Sequence, residues 1–313
     1  MKSVFIDGES GTTGLQVRER LARHPQIEVV SIGPELKRDA KEKCRLMREV
    51  DVAVLCLPDA AAKESAALAQ SVDCRVLDAS SAHRTAEGWV FGLPELNEQQ
   101  RAAIADAQCV ANAGCYASGA ILMLAPLVSA GALPPDAVYA INAISGYSGG
   151  GKPLIENYES EITQNPAVAA YGLDFQHKHI REIQVLSGLA HAPIFIPSIG
   201  NYRQGMLVSI PLPQVNEEQL VLMQDALEQA YHSEDFVIVQ PFNRTDPETA
   251  PFLTPHGLGG SNEVHLHLFG SEDGTRGLLM AKLDNLGKGA SGAAVQNLNL
   301  MLGLEESLGV ELY

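Results

Sequence analysis

Residues 111–119 read ANAGCYASG and set Cys115 between Gly114 and an apolar run. A thiol at a strand-to-helix junction can act as a nucleophile, because a helix N-terminus favours the thiolate. The competing use of that residue type is a packed core cysteine. A nucleophilic thiol needs an acid/base partner. The stretch FQHKHIREIQ offers His177 and His179, with Glu182 three residues after His179, where one helical turn lets it orient the imidazole. His265 and His267 in EVHLHLF alternate onto one strand face without further ligands, so they read as structural and no metal is expected.

A second chemical feature lies at the start of the chain. FIDGESGTTG places Gly8, Gly11 and Gly14 directly after a strand-like run and at the mouth of a helical one. Glycines let the backbone turn tightly and approach a pyrophosphate, which the helix N-terminus then binds. The next strand ends VVSIGPELKR: its tip carries Ser31 and Gly33 rather than an acid, Glu28 sits at its start, and Lys37 and Arg38 follow. Basic side chains there suit a 2′-phosphate, so NADP is expected over NAD. Further candidates for anionic groups are Lys152 in SGYSGGGK, Arg84 in DASSAHRT, Arg203 in GNYRQGM, and Lys178.

These residues need elements to hold them. SVFID, IEVVSIG, DVAVLCLP and CRVLDASS are strand-like, and the helical patterns TTGLQVRERLARH and AAAKESAALAQS lie among them. Apolar runs separated by helices predict a parallel sheet covered on both faces. QCVANAG is a further strand, and YASGAILMLAPLVSAGAL a helix. Beyond it AVYAINAISG, PIFIPSIG, MLVSIPLP, FVIVQP, EVHLHLFGS and GLLMAKLDN are longer, partly alternating strands that predict a mixed or antiparallel sheet. KGASGAAVQNLNLMLGLEESL closes the chain as an apolar helix.

Composition narrows the function classes. A chain of 313 residues, 46% hydrophobic, suits two domains with sizeable cores. A formal net charge of −16 repels a phosphate backbone, and aromatics at 5% with a single tryptophan, Trp89, offer no stacking platform, so nucleic-acid binding is not expected. Five cysteines without a CxxC spacing argue against a disulfide scaffold or zinc ribbon. MKSVFIDGES is not followed by a signal-peptide core, and no apolar run is long enough to span a bilayer. The expectation is a cytoplasmic protein without membrane partners.

Seven stretches together carry a resemblance that covers nearly the whole chain: GESGTTGLQVRERL, VDVAVLCLPDAAAKES, LDASSAHRTAEGWVFGLPEL, VANAGCYASG, INAISGYSGGGK, HKHIREI and DNLGKGASGAAVQNLNLMLG. They resemble the short-form N-acetyl-gamma-glutamyl-phosphate reductases of arginine biosynthesis. The resemblance implies an α/β fold: a Rossmann-type NADP-binding domain plus an α+β substrate and dimerisation domain with a mixed sheet, as in semialdehyde dehydrogenases. The expected boundaries are 1–115, completed by the C-terminal helix 286–313, and 116–285. It implies Cys115 as nucleophile. HKHIREI matches the family's HRHxPEI, so the acid/base is His177 or His179, with His179 preferred and Glu182 beside it.

Cofactor residues are then expected among Gly8, Ser10, Gly11, Thr12, Thr13, Gly14, Lys37, Arg38, Pro58, Ser80, Gly149 and Asn285. Substrate residues are expected among Arg84, Asn112, Ser145, Lys178 and Arg203. The implied reaction is NADPH-dependent reduction of an acyl phosphate, N-acetyl-L-glutamyl 5-phosphate, to the semialdehyde by a homo-oligomer, dimer or tetramer. The alternatives are a related acyl-phosphate reductase, of aspartate-semialdehyde or aminoadipyl-phosphate type, and a non-catalytic Rossmann-fold binding protein. Two positions depart from the family pattern. Ala113 replaces a proline before the thiol, and Arg181 replaces the proline of the histidine motif, which loosens two loops without removing a reacting group.

Overall fold

A computed structural model describes residues 1–160 and 164–311. The chain divides into two compact units, one of residues 1–94, 98–114 and 290–313, the other of 95–97 and 115–289.

The first unit opens with β1 (Lys2–Asp7), α1 (Thr12–Ala22), β2 (Ile27–Val30), α2 (Ala40–Glu49), β3 (Val52–Leu55), α3 (Asp59–Ser71) and β4 (Arg75–Asp78). It continues with β5 (Val90–Gly92), α4 (Gln100–Asp106) and β6 (Cys109–Asn112). All strand pairs are parallel, in the order β2-β1-β3-β4-β6-β5. Val52, Ala53, Val54 and Leu55 are fully buried, as a central strand covered on both faces requires. The order reverses between β1 and β3, and ligands of open α/β sheets bind outside the strand ends at such a point. The expected parallel sheet is therefore present. Strand β5 and helices α2 and α4 are additions to the sequence reading: β5 spans only three residues, and α2 buries only Leu46 and Met47, with Asp39 capping it through Lys41 N and Glu42 N.

The second unit begins with α5 (Cys115–Ser129), β7 (Ala140–Gly146), α6 (Gly151–Tyr158), β8 (Val168–Ala170), α7 (His179–Leu186) and β9 (Ile194–Gly200). It ends with β10 (Met206–Leu212), α8 (Glu217–Tyr231), β11 (Val237–Val239), β12 (Val264–Gly270) and β13 (Gly277–Leu283). Its seven-stranded sheet runs β11-β12-β13-β10-β7-β9-β8. The β7–β9 and β11–β12 pairs are parallel and the rest antiparallel, which makes the sheet mixed. Val208, Ala281 and Leu283 lie close to Gly119 of α5, so one face of this sheet is buried under that helix. Alternate positions include Ile194 and Ile196, 44% and 36% exposed.

A π-helical turn over Gly287–Ser291 leads into α9 (Gly292–Leu302), which belongs to the first unit. Its polar residues are buried and bonded: Asn297 Nδ2 donates to Gly92 O and to Asn112 Oδ1 at 3.0 and 2.9 Å, and Asn299 Nδ2 donates to Glu306 O and Leu308 O. The sequence reading runs this helix on to Leu308. The structure stops it at Leu302, where Gly303 takes the left-handed conformation (φ +66°) and its N–H returns to Leu300 O. Among the described residues no helix is long and apolar enough to cross a membrane.

Candidate active site

In the first unit the glycine loop is built as a close backbone approach. Gly8 has φ +94°, and a Cβ there would collide with Cys56 O at the end of β3; a Cβ on Gly14 would collide with Gly8 O. Gly11 N–H donates to Gly8 O at 3.1 Å, and no side chain caps α1, whose N-terminal amides open the helix at Thr12. Beside the loop lies a cavity of about 620 Å³, lined among others by Gly8, Ser10, Gly11, Lys37, Arg38 and Pro58. That volume suits a cofactor-sized ligand. Lys37 Nζ donates to Ser10 Oγ at 2.8 Å, which ties a cation to the loop. The bare helix start, the tight glycines and the cations fit a phosphorylated dinucleotide.

Lys43 of α2 also lines the cavity, and sequence reasoning missed it because α2 was passed over. Its Nζ lies 2.6 Å from Asp7 Oδ2, and Ser65 Oγ donates to the same carboxylate oxygen. Thr12 and Thr13 stand in the first turn of α1, outside the described lining. Ser80 N–H and Oγ both donate to the buried carboxylate of Asp78, which also meets His83 Nδ1 at 2.6 Å. Asn112 is 1% exposed with both amide atoms engaged, Nδ2 donating to Ala290 O and Oδ1 accepting from Asn297. Arg84 Nε donates to Asn112 O at 3.0 Å.

In the second unit Cys115 is the first residue of α5 and half-buried. Its neighbour Tyr116 is buried, donates to Ser198 O at 3.1 Å and accepts from Tyr171 OH at 3.3 Å. Burial pushes the Tyr116 phenol far above its ordinary range and that of Tyr171 up to about 12. The Tyr116 ring lies edge-on to His179 at 5.7 Å and to His177 at 6.1 Å between centroids. The residue after the thiol thus packs against both histidines.

His179 opens α7, is 4% exposed, and its Nε2 lies 3.5 Å from Oε1 of Glu182, itself 1% exposed. His177 sits in the loop before α7, and its Nδ1 accepts the His179 N–H at 3.2 Å. Tyr116 and Tyr171 were not anticipated. Tyr116 carried a signal, its place next to the thiol; Tyr171 meets it only through the fold.

Of the other expected residues of this unit, Ser145 joins that cluster through a side-chain hydrogen bond with Tyr116, and Lys178 stands between the two histidines. Asn285 Oδ1 accepts from Gly205 N at 2.8 Å and its Nδ2 donates to Ser148 Oγ, so its amide braces the glycine-rich loop that carries Gly149. Ser145 is 1% exposed and donates to Gly146 O. Lys178 is exposed, Arg203 pairs with Glu159 at the surface, and Lys152 lies 3.7 Å from Glu156 with most of its side chain in solvent. His267 Nδ1 donates to Arg244 O and His265 meets Glu263 at 2.9 Å, both structural contacts.

Comparison with known proteins places this geometry. The profile of the semialdehyde dehydrogenase NAD binding domain matches residues 3–105, and that of the semialdehyde dehydrogenase dimerisation domain matches residues 115–285. The aspartate semialdehyde dehydrogenase II of Vibrio cholerae, solved in complex with ASA, superposes with a TM-score of 0.69 at 16% identity, over 97% of this chain and 98% of that one. That likeness is one of fold. N-acetyl-gamma-glutamyl-phosphate reductase 2 of a Nostoc species is 49% identical, and the protein of the same name from Pseudomonas putida 47%, each over 98% of both chains. With identity at that level along its whole length, and with the loop, thiol and histidines set in the two matched domains, the chain belongs to the N-acetyl-gamma-glutamyl-phosphate reductase family.

Proposed function

We propose that the chain catalyses the NADPH-dependent reductive dephosphorylation of N-acetyl-L-glutamyl 5-phosphate to N-acetyl-L-glutamate 5-semialdehyde, in the cytoplasmic synthesis of arginine. The observation that carries this reading is Cys115 at the start of α5, with Tyr116 packed against His177 and His179. The Cys115 thiolate attacks the acyl carbon, a C–S bond forms, the C–O bond breaks, and phosphate leaves. The N-terminal amides of α5 stabilise the oxyanion. Bound NADPH supplies a hydride to the thioester carbon. His179, held by Glu182, gives a proton to the developing alkoxide, then takes it back as the thiohemiacetal collapses to aldehyde and free thiol. His177 contributes to substrate binding. Arg84, Lys178 and Arg203 remain the candidates for the anionic groups of the substrate.

Residues 1–114 with the C-terminal helix hold the cofactor, and 115–289 carry catalysis and assembly. NADP is the cofactor, and Lys37 and Arg38 offer cations in the cavity beside the glycine loop. The half-exposed isoleucines of β9, Ile194 and Ile196, support association of the chain into a dimer or tetramer through the second sheet. The test runs the reaction backwards. Reduction of NADP by N-acetyl-glutamate 5-semialdehyde should depend on phosphate and be much faster than with aspartate semialdehyde. A rate independent of phosphate would overturn the reaction class; a preference for aspartate semialdehyde would overturn the substrate.

A further inference from the structure

The mechanism above uses neither Lys288 nor Glu95, although their side chains are wholly buried and paired at 2.7 Å. Lys288 Nζ also lies 5.6 Å from the centroid of the Phe236 ring. A buried ion pair stabilises little by itself, but it can hold one geometry against alternatives. What this pair holds is the backbone of residues 287–289. A Cβ on Gly287 would collide with Ser261 O. A Cβ on Gly289 would stand 2.6 Å from Cys115 Cβ and 3.2 Å from its Cα. Gly289 N–H donates to Asp284 O at 2.9 Å, and the Asp284 carboxylate accepts from Gly260 N at 2.7 Å and Leu286 N at 3.1 Å. Bare backbone therefore lies directly against the proposed nucleophile, and Lys288 is the neighbouring residue that ties this backbone to Glu95, 193 positions away.

We propose that residues 287–289, locked by the buried Lys288–Glu95 pair, form a seat that positions the Cys115 thiol, and that Lys288, Glu95 and Gly289 are positioning residues for the reaction. The inference rests on Cys115 being the nucleophile. Misplacing a reacting atom by about 1 Å costs on the order of a hundredfold in rate. A methyl group on Gly289 forces a shift of that kind at the thiol.

The experiment measures kcat, both KM values, the thermal midpoint and the iodoacetamide labelling rate of Cys115 in the full-length enzyme. Gly289→Ala should lower kcat roughly a hundredfold and leave the KM values within about twofold, the split expected when orientation rather than binding is lost. Lys288→Met combined with Glu95→Leu removes the pair without stranding a buried charge. It should stay folded, lose about tenfold or more in kcat, and change the Cys115 labelling rate. Where Gly289→Ala does not fold, this double variant carries the test. Wild-type kcat and labelling in the folded variants would overturn the proposal. Cys115→Ser is measured alongside: an active serine variant would overturn the nucleophile reading and the seat with it. An inactive one beside fully active seat variants overturns the seat alone.

Discussion

Burial pushes the thiol of Cys56 up to about 12, helped by the charges of Asp78 and Asp7, and that of Cys74 up to about 11, and it raises Cys109 as well. These three stay protonated near neutral pH, whereas Cys115 opens a helix whose N-terminus favours an anion. Iodoacetamide at neutral pH should therefore label Cys115 first among the five cysteines, and saturating acyl phosphate should protect it. Peptide mass spectrometry checks this, and label mainly on Cys44, Cys56, Cys74 or Cys109 would return Cys115 to the role of a packing residue. The histidines divide by environment. His179 is buried against Glu182, and His177 stands in the preceding loop. His179→Asn should lower kcat roughly a hundredfold or more, the usual loss for a general acid/base, while His177→Asn should act mainly on KM. Steady-state kinetics of the two variants decide it, and the reverse pattern would exchange the roles.

The elements that present these groups were legible to different degrees. Strand β1 and the loop to α1 were readable because the information is local: an apolar run, three glycines at fixed spacing, then helical periodicity. Helix α2 was not, since only two of its residues, Leu46 and Met47, are buried and most of the others are charged. With it went Lys43, a cation lining the cofactor cavity. The run after Gly303 kept a helical composition that the left-handed glycine overrules. The tether from Lys37 to Ser10 gives the NADP prediction its element-level form. Lys37→Ala combined with Arg38→Ala should raise the KM for NADPH and leave that for NADH nearly unchanged. Equal losses with both cofactors would remove the 2′-phosphate assignment from this loop.

At the scale of the whole molecule, the first unit carries the proposed cofactor cavity and the second the proposed nucleophile. The two-sheet architecture could be anticipated because strand runs change from continuously apolar to alternating near Cys115. The pairings that set the details could not. Asn112 to Asn297 and Glu95 to Lys288 join residues 185 and 193 positions apart, and nothing in their local sequence marks the partner. The central claim, an acyl-enzyme on Cys115, is tested most directly by mixing the enzyme with N-acetyl-L-glutamyl 5-phosphate without cofactor. Phosphate release and intact mass are followed, and NADPH is then added. The predicted result is a burst of phosphate matched by an N-acetylglutamyl adduct on the Cys115 peptide, which NADPH discharges as aldehyde. Reduction that proceeds at full rate while Cys115 stays unmodified, or an adduct on another residue, would contradict it.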